Sequence, residues 1–159
     1  MRIAAAHLIA LVMLLGAACS HNNIPGTQIR DAPENRAILD VLAAYKAAME
    51  ARDSDALLAL AAPNYFDRGD PNRTSTTGPL DYGTLRRDLP DDFKDVKSVH
   101  LDITVKDVQV DGDKAHVDYY AVLRYAVAVV SGEKWFSEAD DARMRLVKLN
   151  GKWKIASGL

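Results

Sequence analysis

Apolar side chains recur at two different periods along this chain, and the change between them divides it into a helical part and a sheet part. Ile38, Val41, Leu42, Tyr45 and Met49 return every three or four residues, the spacing of one helix face. Asp31 and Glu34 stand at capping-box spacing before that stripe, with Pro33 in the first turn. Arg52-Asp53-Ser54 interrupts it. Asp53 or Ser54 then caps a shorter helix through Leu57, Leu58 and Ala61, which Pro63 stops. Residues 67–81 hold Gly69, Pro71, Gly78 and Pro79 and read as a long polar loop. Asp81 to Leu89 adds one or two further helical turns.

From Val99 the period becomes two. Val99, Leu101, Ile103 and Val105 share a face, Val108 and Val110 have changed phase, and Ala115 to Val129 alternate again. Pairing Leu101 with Leu123, and also Val108 with Val117, needs one extra residue, so a bulge is expected near Lys106-Asp107. Ser131-Gly132 suits a two-residue turn, placing Val127 opposite Phe136, Tyr119 opposite Met144 and Val117 opposite Leu146. Asn150-Gly151 is a stronger hairpin signal and sets Leu146 opposite Ile155. The predicted architecture is α+β over residues 31–159: N-terminal helices packed across a curved antiparallel sheet.

The first residues have another logic. Arg2 precedes a nearly continuous apolar run from Ile3 to Leu15, too short to span a bilayer as a helix and suited to a secretion signal over residues 1–18. Leu15-Gly16-Ala17-Ala18-Cys19 resembles the lipobox of bacterial lipoproteins, with Gly16 standing where an aliphatic residue is usual. Cys19 is the chain's one cysteine and has no disulfide partner within it. Lipidation of Cys19 would anchor the mature chain to a membrane, with residues 19–30 as a tether. Ser20, in place of aspartate, implies by the same resemblance the outer membrane of a Gram-negative envelope.

Without the signal there remain nineteen basic and twenty-two acidic side chains. That balance, with no basic run interleaved with aromatics, excludes nucleic acid as a partner. His100 and His116 fall about 26 Å apart along the predicted strands, at roughly 3.3 Å per residue, so they cannot share a metal. No metal and no cofactor is expected.

Tyr45 to Asp53, Asp55 to Leu60, and the run from Met144 through Ile155 resemble the nuclear transport factor 2-like superfamily, which includes ketosteroid isomerase and SnoaL-type cyclases. The resemblance implies a cone with an internal cavity, often dimeric through the outer sheet face. Tyr45 falls where ketosteroid isomerase places its oxyanion tyrosine, but Gly69 and Ala142 stand where its two aspartates belong. Tyr45 also has the spacing of a core residue.

The predicted register gives its own candidates. Glu138 would lie opposite Tyr125 and Asp140 opposite Leu123, both on the apolar face with Tyr119. Carboxylates in a cavity would be desolvated, and could bind a polar ligand or act as acid and base. If the strand projects past the helices, both are simply wet. Tyr45, Tyr119, Tyr125, Glu138 and Asp140 are thus the pocket candidates, and no catalytic residue is assigned. The leading expectation is a non-catalytic, envelope-anchored domain that binds a small ligand or a protein partner. The alternatives are a cofactor-independent isomerase, dehydratase or hydrolase, and a homodimeric assembly module. Asp118, Tyr120, Arg124, Asp141, Arg143 and Arg145 fall on the opposite face as complementary cross-strand charges.

Overall fold

The computed structural model describes residues 22–69 and 79–159. Among these residues, three helices precede and pack on a curved four-stranded antiparallel sheet. The helices are α1 (Pro33–Ala51), α2 (Ser54–Leu60) and α3 (Tyr82–Phe93). Two-residue strands β1 (Phe66–Asp67) and β2 (Leu80–Asp81) pair with each other across the foot of the polar loop. The main sheet runs β3 (Val96–Asp111), β4 (Lys114–Val129), β5 (Gly132–Leu149) and β6 (Lys152–Ser157), in that spatial order.

α1 buries Ile38, Leu42, Tyr45 and Ala48 against the sheet, so the stripe read from periodicity is its inner face. Its start differs from the expected capping box. Ala32 is the N-cap and offers no side-chain acceptor, while Pro33 supplies a first-turn residue whose missing N–H costs nothing. Asp31 instead forms a fork with Arg36, at 2.5 and 2.7 Å. Glu34 reaches across to Lys148 at 2.9 Å and to the Trp153 indole N–H at 3.1 Å. Asp53 caps α2 by accepting from the Ala56 N–H, and Asp81 caps α3 by accepting from Thr84. That second cap carries α3 through Leu89 to Phe93, beyond the expected end, with Pro90 inside it.

The segment from Asn22 to Asp31, which has no apolar period, folds into a tight turn. Ile24 and Ile29 share a 2.8 Å backbone bond, Asp31 N–H donates to Asn22, and Ile29 is buried.

The β3–β4 register is the expected one. Leu101 faces Leu123, Ile103 faces Ala121, Val108 faces Val117, and the phase shift falls between Val105 and Asp107. The β4–β5 register is not. Val129 pairs with Gly132, so the turn is Val130-Ser131, and every pair is displaced by two residues from the expected ones. Tyr125 meets Phe136, Leu123 meets Glu138, and Val117 meets Met144. Because strand side chains alternate with a period of two, this displacement keeps each residue on its expected face.

Leu146 faces Ile155 as expected, and Asn150 and Gly151 take φ of 50° and 76°, both positive as a type I′ turn requires. Gly151→Val should therefore lower stability by about 1–3 kcal/mol, since a β-branched residue is strained at positive φ. Denaturant unfolding should show no such loss for Gly83→Ala, which lies in α3 with only an ordinary 3.5 Å contact to the Asp81 side chain; equal losses would argue against this turn.

β3 is an edge strand, and α1 covers part of its open side. Glu50 accepts from the Leu101 N–H at 3.0 Å, Lys46 donates to the Leu101 carbonyl, and Arg52 donates to the Lys97 carbonyl. Charged side chains thus satisfy an edge that would otherwise invite pairing.

Candidate functional site

The five pocket candidates divide between core and water. Tyr45 and Tyr119 belong to the main hydrophobic core, beside Leu42, Leu101 and Met144. Tyr125 is half-buried, stacks on Phe136 with ring centres 5.2 Å apart, and donates to Glu138 Oε1 at 3.3 Å. Desolvation, and then the charge of Glu138, push its hydroxyl above the ordinary tyrosine range. Glu138 and Asp140 themselves are exposed and line no dry pocket, the alternative in which the strand projects past the helices.

The reason lies in neighbouring elements. α1 packs on β3 and β6, whereas β6 pairs with β5 only from Arg145 to Leu149. The stretch of β5 from Gly132 to Arg143 therefore forms an open edge beyond the helices. Side-chain parity gave the face correctly; coverage of that face depends on how far β6 and α1 extend. Cys19 lies outside the described residues.

The outer face of the sheet carries the second arrangement. Arg143 forks onto Asp118 at 2.5 and 2.6 Å, Lys106 meets Asp141 at 2.5 Å, and Arg124 meets Asp102 at 2.6 Å. The register that sets Val117 opposite Leu146 would give Asp118 Arg145 as its partner; the two-residue displacement gives it Arg143. The Arg143 fork holds the Asp118 carboxyl below its usual range. Lys106, Asp118, Tyr119, Asp141, Ala142 and Arg143 line an open groove of about 350 Å³. Each cation lining it already has an acidic partner, so the groove is charged but locally compensated.

Next to this groove is a cluster that no spacing in the sequence brings together. One donor atom from each of Asp107, His116 and Asp118 lies within 4.8 Å of the others. By spacing His116 has only the distant His100 as a second imidazole, and His100 stacks on Trp135. The expected bulge was the available signal, because it turns Asp107 outward beside Asp118.

This arrangement of helices before a curved meander sheet has relatives. A model of the SnoaL-like domain matches residues 30–157. The chain belongs to the SnoaL-like domain family. The solved structures similar to this SnoaL-like domain include a conserved protein from Planctomyces limnophilus, with 16% identity and a TM-score of 0.67 over 79% of this chain and 92% of that one. A proposed scytalone dehydratase from Novosphingobium aromaticivorans gives 16% identity and a TM-score of 0.63, over 79% of this chain and 80% of that one. A proposed dehydratase of the NTF2-like family from Streptomyces avermitilis gives 18% and 0.63, over 80% and 95%. Likeness at such identities shows the fold and leaves the activity open. No curated protein matches the sequence.

Proposed function

We propose that the chain is a lipid-anchored protein of a bacterial envelope, whose SnoaL-like domain binds a partner without catalysing a reaction. The observation that carries the binding reading is the exposed end of the β4–β5 hairpin. Val129, Val130 and Trp135 are exposed apolar residues there, and the exposed Glu133 and Lys134 flank them along β5. Exposed aromatic and aliphatic side chains rimmed by charge are the composition of an interaction surface.

The position of that surface relative to the anchor supports the same reading. Asn22 lies against Asp31, and Glu34 holds the start of α1 to Lys148 and Trp153 beside the Asn150-Gly151 turn. The chain therefore enters the domain at one end of β5. The exposed hairpin lies at the other end of this 18-residue strand, up to roughly 60 Å along it at ~3.3 Å per residue. A tether at Cys19 would hold the hairpin away from the bilayer and toward soluble partners. Among the described residues no helix is long and apolar enough to cross a membrane, so the lipid would be the attachment.

Anchoring and binding are separable in experiment. Cys19→Ala should move the protein from the membrane to the soluble fraction, and mass spectrometry should find acyl chains on Cys19 of the native protein. An unmodified Cys19 in exported protein overturns the anchor. A photocrosslinker at Val130 in native envelopes should give a discrete adduct that one at Lys152 does not. An adduct of twice the chain's mass would mean homodimeric assembly instead, and no adduct at either position overturns the surface.

An enzyme is the second reading, favoured by the Tyr125–Glu138 hydrogen bond, where a phenol and a carboxylate meet. Acid–base chemistry works best in a dry site. Glu138 is exposed, and binding is the stronger reading.

A further inference from the structure

We propose that Asp107, His116 and Asp118 bind one divalent transition-metal ion on the outer face of the sheet. The site is made by the bulge. From Val99 to Val105 the odd-numbered residues of β3 face the helices; after the shift Val108 and Val110 do so, and Asp107 and Gln109 turn outward. β4 presents His116 and Asp118 outward between the buried Ala115, Val117 and Tyr119. Register then sets Asp107 against Asp118 and Gln109 against His116.

The separations suit a shared ion. Donor atoms about 2.0–2.2 Å from a metal lie roughly 3–4 Å from one another. The three here are already within 4.8 Å, so side-chain rotation can close the shell without moving the strands.

Groups outside the triad orient two of its members. Arg143 donates from Nε and Nη2 to the two oxygens of Asp118, and Gln109 Nε2 donates to Asp107 Oδ2 at 2.8 Å. Carboxylate oxygens have lone pairs to spare, and metal-ligating carboxylates are normally fixed by such outer hydrogen bonds. The fork on Asp118 is therefore compatible with ligation.

One imidazole nitrogen with two carboxylate oxygens selects zinc, nickel or copper over magnesium and calcium, which prefer all-oxygen shells. Three protein donors leave coordination positions open to solvent. The Arg143 guanidinium opposes the added positive charge, so micromolar affinity is expected rather than the tighter binding of enclosed sites.

Zinc chloride titrated calorimetrically into the purified full chain should show one equivalent bound, and magnesium chloride none. Asp107→Asn and His116→Gln should each weaken zinc binding at least about tenfold, with His100→Gln unchanged. The His116 ring-nitrogen resonances of the unaltered protein should shift with zinc, a readout that does not depend on any variant folding. Unmoved His116 resonances, or His116→Gln binding zinc like wild type, would overturn the proposal.

Discussion

Ile155→Ala should lower unfolding stability by about 2–5 kcal/mol, whereas Trp135→Ala, which removes a larger side chain, should cost less than about 1 kcal/mol. Ile155 is fully buried on β6, where it faces Leu146 and bridges to Ala61 at the end of α2. Its carbonyl also accepts from the Ala62 N–H at 2.8 Å. Truncation leaves a cavity where sheet, α2 and the following loop meet, and the backbone bonds on either side prevent collapse into it. For a domain of this size the loss corresponds to about 5–15 °C in Tm.

Trp135 is 55% exposed, and its ring stacks on that of His100, 6.2 Å away centre to centre. Water already reaches much of its surface, so little apolar area returns to solvent on truncation. Thermal unfolding of both variants tests the assignment of inner and outer faces. Equal losses would mean that something covers Trp135 in the folded protein.

The same contrast explains which features could be read from the residues alone. The β3–β4 pairing and its bulge were legible because the apolar phase itself changes between Val105 and Val108, and one register keeps both halves inward. The β4–β5 pairing was not, because a displacement of two leaves every side chain on its face. Turn chemistry alone decides such cases, and Gly132 favoured the wrong turn: it closes the hairpin at φ 129° instead of occupying the turn. α3 ran longer than expected because the Asp81 cap and the apolar Leu85, Leu89 and Phe93 outweigh Gly83.

The candidate site followed the same division. That Glu138 and Asp140 share a face with Tyr125 came from alternation. Their exposure came from element length, since a six-residue β6 covers only one end of an 18-residue β5. Asp107, His116 and Asp118 are separated by up to eleven positions and carry no spacing motif. They come together through register and bulge, both of which had been read, but only for the apolar face.

The C-terminal end of the fold gives the largest expected pH effect. Tyr65 is 2% exposed, and burial pushes its hydroxyl up to about 12. The Leu159 N–H donates to that hydroxyl at 3.1 Å, and the Gly158 N–H donates to Asp67 at 2.7 Å, so the two side chains hold the last residues against the core. Gly158 sits at φ 90° with no room for a side chain: a Cβ there would come 2.5 Å from the Arg143 carbonyl. In the unfolded chain Tyr65 ionises near its ordinary value of about 10. Between that value and about 12 the folded state holds the proton while the unfolded state has lost it. Stability therefore falls as pH rises through this window, by at most about 3 kcal/mol from this group, and is unaffected by it at neutral pH.

Tyr65→Phe isolates the contribution. At pH 7 the variant loses one hydrogen bond and should be about 1 kcal/mol less stable than wild type. Above pH 10 wild type should lose stability faster than the variant, so the difference narrows and then reverses. Urea unfolding of both proteins from pH 8 to 11.5 measures it. Parallel curves across that range would mean that Tyr65 ionises as easily folded as unfolded, and that the C-terminal residues do not seal it from water.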